Sequence, residues 1–125
     1  MINWNNLDTL TSFKELSEVE RVNLAEVMSG ENGAERVKDY SVPMTEDLTY
    51  NYAAKAVDDK VLAALAKLAK EAQLTEKYAA LYNGEVINTG EKRLVLHQLT
   101  RGQLGDKVEA DGVDKREFYV KQQQR

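Results

Sequence analysis

Arg93, His97 and Arg101 stand at four-residue steps in the stretch NGEVINTGEKRLVLHQLTRG, residues 83–102. On a helix, that spacing stacks three side chains on successive turns of one face. Two guanidinium groups beside an imidazole can hold an anion. The chain has a single histidine, so any imidazole chemistry falls to His97. The same row also describes an ordinary helix face that meets acidic groups or water, and spacing alone favours this plainer reading.

The other reactive groups form no self-contained set. Glu15, Glu18, Glu20, Asp58, Asp59, Glu109 and Asp111 offer carboxylates for acid–base work. Most stand at expected helix starts, where stabilising the helix dipole already explains them. The segment SGENG, residues 29–33, has neither the Walker spacing nor the dinucleotide fingerprint and reads as a loop. Without cysteine there is no thiolate nucleophile, disulfide framework or cysteine zinc site, and one histidine argues against a transition-metal centre. Tyr50, Tyr52, Tyr78 and Tyr82 have faces on which a ligand could stack, although core packing is the ordinary fate of tyrosines in such patterns.

A chain of 125 residues suits one domain or a piece of a larger one, and its 42% hydrophobic and 30% charged content is that of a globular protein. The net charge of −4, with lysine and arginine spread along the chain, argues against nucleic acid as a partner. No apolar run approaches the ~20 residues that cross a bilayer. The start MINWNNLDTL lacks the pattern of a secretory signal. A cytoplasmic, soluble protein is the expectation.

Helical periodicity dominates the elements that would position these groups. Leu7, Leu10, Phe13 and Leu16, then Val22, Ala25, Val27 and Met28, predict two short helices or one bent helix ending in SGENG. Ser12/Glu15 and Ser17/Glu20 have capping-box spacing. A helical turn follows around residues 34–39. SVPMTEDLTYNY then alternates apolar and polar residues about Glu46-Asp47 and predicts a small hairpin, irregular or at an edge because of Pro43. VDDKVLAALAKLAKEA predicts a helix with Val61, Leu62, Leu65, Leu68, Ala69 and Ala72 on one stripe, Asp58 and Asp59 at its start, and Lys67 and Lys70 near its end. A second helix, capped by Thr75, runs to Tyr82 and stops at Asn83-Gly84. EKRLVLHQLTR predicts another, burying Leu94, Val95 or Leu96, and Leu99. KVEADGVD stays unassigned, and a last helix runs from Asp114 to Arg125 without a glycine or proline stop. That ending fits a native terminus or a longer chain interrupted within a helix.

Residues 84–101 resemble a motif of the glucose-6-phosphate isomerase (phosphoglucose isomerase) family, Gly-Glu-Lys-Ile-Asn, a variable residue, Thr-Glu, another, then Arg-Ala-Val-Leu-His. Gly84, Glu85, Ile87, Asn88, Glu91, Arg93, Val95, Leu96 and His97 match in register, and Arg101 falls on a further family arginine. Upstream, Tyr52, Leu62, Leu68, Ala69, Lys70 and Glu71 fit the family's Asp-Tyr-Ser-Lys-Asn segment and the helix after it. Val86, Gly90, Leu94 and the run Ala53-Ala54-Lys55 depart from the pattern and mark a divergent branch.

The resemblance implies a mainly α-helical segment with a small β-hairpin, residues 1–125, forming the N-terminal portion of a larger α/β sugar isomerase. Its sugar-isomerase domains, with their glycine-rich phosphate loop, are absent from these residues. The implied parent is a homodimer that interconverts glucose 6-phosphate and fructose 6-phosphate in glycolysis and gluconeogenesis. It uses an enediol and a glutamate base, with no metal or redox cofactor. No catalytic residue is carried over, and Arg93, His97 and Arg101 become a packing and subunit-contact element. The segment alone is expected to be inactive and, if it belongs to a larger body, to expose an apolar face. The competing expectation is a stand-alone helical interaction module whose Arg93, His97 and Arg101 meet an acidic patch.

Overall fold

The computed structural model describes residues 1–101 and 106–124; Gly102 and Arg125, which the sequence reading included, lie outside them. The described chain is mostly helical and falls into two compact units, residues 8–68 and residues 1–7 with 69–125.

In the first unit, a 3₁₀ turn at Leu7–Thr9 leads into α1 (Thr11–Glu18), α2 (Leu24–Ser29) and α3 (Gly33–Asp39). The two early helices are separate rather than one bent helix. Neither expected capping box forms: Leu10 holds the N-cap of α1, Ser12 is buried inside its first turn, and Ser17 Oγ donates to the Lys14 carbonyl at 2.6 Å. Helix α1 starts two residues too early for the first pair and stops before Glu20. The cap that does form is Asn23, whose Oδ1 accepts from the Ala25 and Glu26 amides ahead of α2.

The hairpin forms as expected. Strands β1 (Ser41–Thr45) and β2 (Leu48–Asn51) pair antiparallel, with Val42 opposite Tyr50 and an irregularity between Pro43 and Thr45. Proline has no amide to give the ladder, so the irregularity falls where pairing is weakest. Helix α4 (Asp59–Glu71) follows, capped by Asp58, whose Oδ1 accepts from the Val61 amide at 2.8 Å. Its alanine, leucine and lysine run is a strong helix former with no internal glycine or proline. Among the described residues of this unit, the buried apolar side chains are Leu10, Ala53 and Ala64.

In the second unit, α5 spans Leu74–Tyr82. Thr75 does not cap it. Gln73 holds the N-cap in a left-handed conformation (φ 53°, ψ 47°), and its carbonyl accepts the Lys77 amide, which places Thr75 already inside the helix. The predicted stop at Asn83-Gly84 forms in full. Gly84 has φ +71°, its amide reaches the Leu81 carbonyl, and the Glu85 amide reaches the Ala80 carbonyl at 2.9 Å. This Schellman closure satisfies the carbonyls left over at the helix end.

The unassigned stretch folds into a minimal hairpin, β3 (Glu109–Ala110) and β4 (Val113–Asp114). Asp111 and Gly112 both have positive φ, 55° and 72°, the two-residue turn that an Asp-Gly pair favours. Asp114 then caps α6 (Lys115–Gln123) through the Arg116 and Glu117 amides. Leu99 and Val108, at 0% and 2% exposure, with Ala72 and Ala80, form the described core of this unit.

Candidate functional site

The expected helix through Arg93, His97 and Arg101 is not present. Residues 88–93 form a tight turn instead: Asn88 Oδ1 accepts the Glu91 amide, the Asn88 carbonyl accepts the Arg93 amide, and Lys92 sits at φ +53°. An asparagine side chain competes with helical hydrogen bonding in this way, and a left-handed residue at 92 blocks propagation. Regular structure resumes as a 3₁₀ turn at His97–Thr100. The four-residue spacing therefore stacks nothing. Arg93 is exposed, with Glu91 3.9 Å away, while His97 and Arg101 line a separate recess of about 260 Å³ with Leu81, Tyr82, Val95 and Gln98.

That recess is built from below. Leu99 is fully buried, Gln98 Nε2 donates to the Leu81 carbonyl at 2.7 Å, and Thr100 Oγ1 donates to the His97 carbonyl. Gln123 Nε2 donates to the Thr100 carbonyl and ties the turn to α6. These contacts place the His97 and Arg101 side chains on the surface, where both are exposed. Leu94 and both alternatives, Val95 and Leu96, are half-buried, so among the expected core positions Leu99 is the fully enclosed one.

A larger cleft of about 720 Å³ lies in residues 8–68, lined by Glu26, Glu31, Glu35, Asp39 and Asp59 together with Arg36, Tyr40 and Tyr52. Tyr40 Oη donates to Asp59 Oδ1 at 3.0 Å. Burial, followed by that hydrogen bond and the Asp59 charge, raises the Tyr40 phenol above its ordinary value of 10.0. It therefore acts here as a donor. Arg36 is the cationic residue of the cleft, but its guanidinium is already engaged. Nε donates to the Ala53 carbonyl at 2.9 Å, and Nη2 donates to the carbonyls of Lys55 (3.1 Å) and Val57 (2.7 Å). The group also lies 4.2 Å from the Tyr40 ring centroid. A cleft with this charge balance repels a sugar phosphate.

Arg36 was not singled out in the sequence, nor was its counterpart Arg116, which is 7% exposed. Arg116 Nε donates to the Asp106 carbonyl at 2.7 Å, and Nη2 to the Tyr82 carbonyl at 3.3 Å. Both arginines hold backbone rather than ligand. The divergent positions differ in setting: Ala53 is 2% exposed and supplies one of the Arg36 acceptors, whereas Val86 is exposed. Among the described residues, no group of three or more histidine, cysteine, aspartate or glutamate side chains is placed to hold a metal ion. Nor is any described helix long and apolar enough to cross a membrane.

Among the described residues, the geometry thus defines a scaffold whose arginines brace loops. The family model described as phosphoglucose isomerase matches residues 51–124, from the last residue of β2 through α6, and the chain belongs to that family. A glucose-6-phosphate isomerase of Treponema denticola is 52% identical over 122 residues, which cover 94% of this chain and 23% of that protein. The enzyme of that name from Treponema pallidum is 42% identical over 128 residues, 99% of this chain and 24% of the relative. One from Shewanella denitrificans is 45% identical over 67 residues, 54% of this chain and 12% of its own length. The chain spans less than a quarter of the length of these relatives.

Proposed function

We propose that residues 1–125 act as the N-terminal segment of a glucose-6-phosphate isomerase, a homodimeric cytoplasmic enzyme that interconverts glucose 6-phosphate and fructose 6-phosphate. In this reading the segment is one helical scaffold for a reaction carried out by groups elsewhere in the parent. His97 and Arg101, seated on a turn braced by Leu99, Gln98 and Gln123, meet another part or subunit of that enzyme. The observation that carries the reading is 52% identity over 94% of this chain, against a relative of which it spans 23%.

The test is a coupled assay of fructose 6-phosphate conversion on two proteins. One is the 125-residue chain alone. The other is a chimera in which it replaces the matching segment of the Treponema denticola enzyme. An inactive chain and an active chimera are expected. Turnover by the chain alone, or a folded but inactive chimera, refutes the reading.

A further inference from the structure

The β1–β2 hairpin has no described covering on one apolar face. It is a two-stranded sheet, and every residue of β2 is exposed. Val42 and Tyr50 lie opposite each other across the strands, each 48% exposed; Leu48, two residues before Tyr50 and so on the same face, is 55% exposed. A two-stranded hairpin alone in water is marginal, and its side-chain pairs stabilise it best when they are covered. On this face lies a groove of about 380 Å³ lined by Val42, Tyr50, Tyr52, Val57 and Leu62, with Lys55 as the one charged residue in its lining. The floor is held in shape. Tyr50 and Tyr52 stack with ring centroids 6.0 Å apart, Tyr40 meets Tyr52 edge-on at 5.3 Å, and Arg36 fixes the carbonyls of Lys55 and Val57. The groove thus has a braced base and an open apolar mouth, unlike the acidic cleft on the same unit.

We propose that this groove seats an apolar segment from the remaining three quarters of the isomerase chain. The proposal rests on the functional reading above and adds the docking face to it. Two observations select that occupant. The relatives carry more than three times as much chain again as the part matched here, and alignments covering 94–99% of these residues take in the hairpin. In addition, the family-model match begins at residue 51, so Tyr52, Val57 and Leu62 belong to the family-matched part while Val42 and Tyr50 precede it. The groove joins the hairpin to the family framework. An apolar strand or helix flank fits its lining, whereas a charged peptide finds only Lys55 to meet.

The experiment uses the chimera with the Treponema denticola enzyme. In the intact chimera, hydrogen exchange at the amides of residues 48–52 is expected to slow by about tenfold or more relative to the 125-residue chain. The double variant Val42→Lys/Tyr50→Lys is expected to lower the melting temperature of the chimera by several degrees. Glu31→Lys, a charge change of the same kind in the acidic cleft, is expected to leave it within a degree or so. Equal exchange rates in chimera and free chain overturn the proposal. So does a double variant that melts with its parent. Hairpin protection that appears only as the free chain dimerises assigns the groove to a second copy and overturns it as well. If the unsubstituted chimera is inactive, the functional reading fails and takes this one with it; an active chimera with an exposed hairpin refutes this proposal alone.

Discussion

Arg36 and Arg116 are both buried, and both donate to backbone carbonyls, yet they organise their units differently. Arg36 draws three carbonyls from one short loop, residues 53–57, and adds the face of Tyr40. Arg116 takes one carbonyl ten residues behind it and another 34 residues back, the latter at 3.3 Å, with no aromatic ring of the described residues over it. The first is a dense local clamp and the second a looser long-range tie. A buried guanidinium is stable only when its donors are matched, so the number and quality of acceptors rank the two. Neither arginine is a ligand-binding group in this arrangement, although an arginine beside tyrosines and carboxylates suggests one at first sight.

The largest expected effect tests the denser clamp. Arg36→Ala strands three carbonyls and removes the contact with Tyr40, and is expected to cost about 4 kcal/mol in urea unfolding. Exchange should rise first at residues 53–57. Arg116→Ala should cost less, about 2 kcal/mol, because one of its two side-chain bonds is long. Equal losses would show that reach in sequence matters more than acceptor number.

A pair of glycines makes a second contrast. A Cβ at Gly84 would lie 2.3 Å from Val108 Cγ1 in addition to the φ of +71°, while one at Gly112 (φ +72°) meets nothing within 4 Å. Gly84→Ala is expected to cost about 3 kcal/mol and Gly112→Ala about 1 kcal/mol, the latter being the left-handed penalty alone. Thermal unfolding of the two variants separates close approach from conformation.

The smallest effect concerns Tyr40. Its folded pKa is raised, so the stability it contributes is complete below the unfolded value near 10.0 and is lost as pH rises through the folded value. Tyr40→Phe should cost below about 1 kcal/mol at neutral pH and flatten the alkaline fall in stability. Tyrosinate absorbance during a pH titration checks the direction. If the variant and parent lose stability alike above pH ~10, the phenol is not the group responsible.

The parts of the fold that could be read in the sequence were those governed by short-range rules. The α4 stripe with Asp58 ahead of it, the alternation around Glu46-Asp47, and the glycine stop at Gly84 each follow from neighbours within a few residues. The row of Arg93, His97 and Arg101 misled because its spacing is helical, while Asn88 and Lys92 hold the backbone in a turn. Asn88 was in view as a motif residue, but nothing local decides whether such a side chain folds back on its own backbone. Asp111-Gly112 was different. That pair is a known hairpin signal and was legible, although the strands are too short to show alternation. The two clamps were not legible at all, because an arginine that will be buried and one that will be solvated look alike until the carbonyls 10 to 34 residues away are placed.

The amide of Asn3 donates to Gln73 Oε1 at 2.7 Å, joining the first residues to a side chain 70 positions later. During synthesis this fixes an order of events. At ribosomal speeds of about 5–20 residues per second, the opening residues wait several seconds for that glutamine to emerge, whereas residues 8–68 have their arginine clamp in hand by then. The stretch around Asn3 therefore settles only after the arginine clamp of residues 8–68 can close, and a chaperone or protease meeting the nascent chain in that interval would find it still loose.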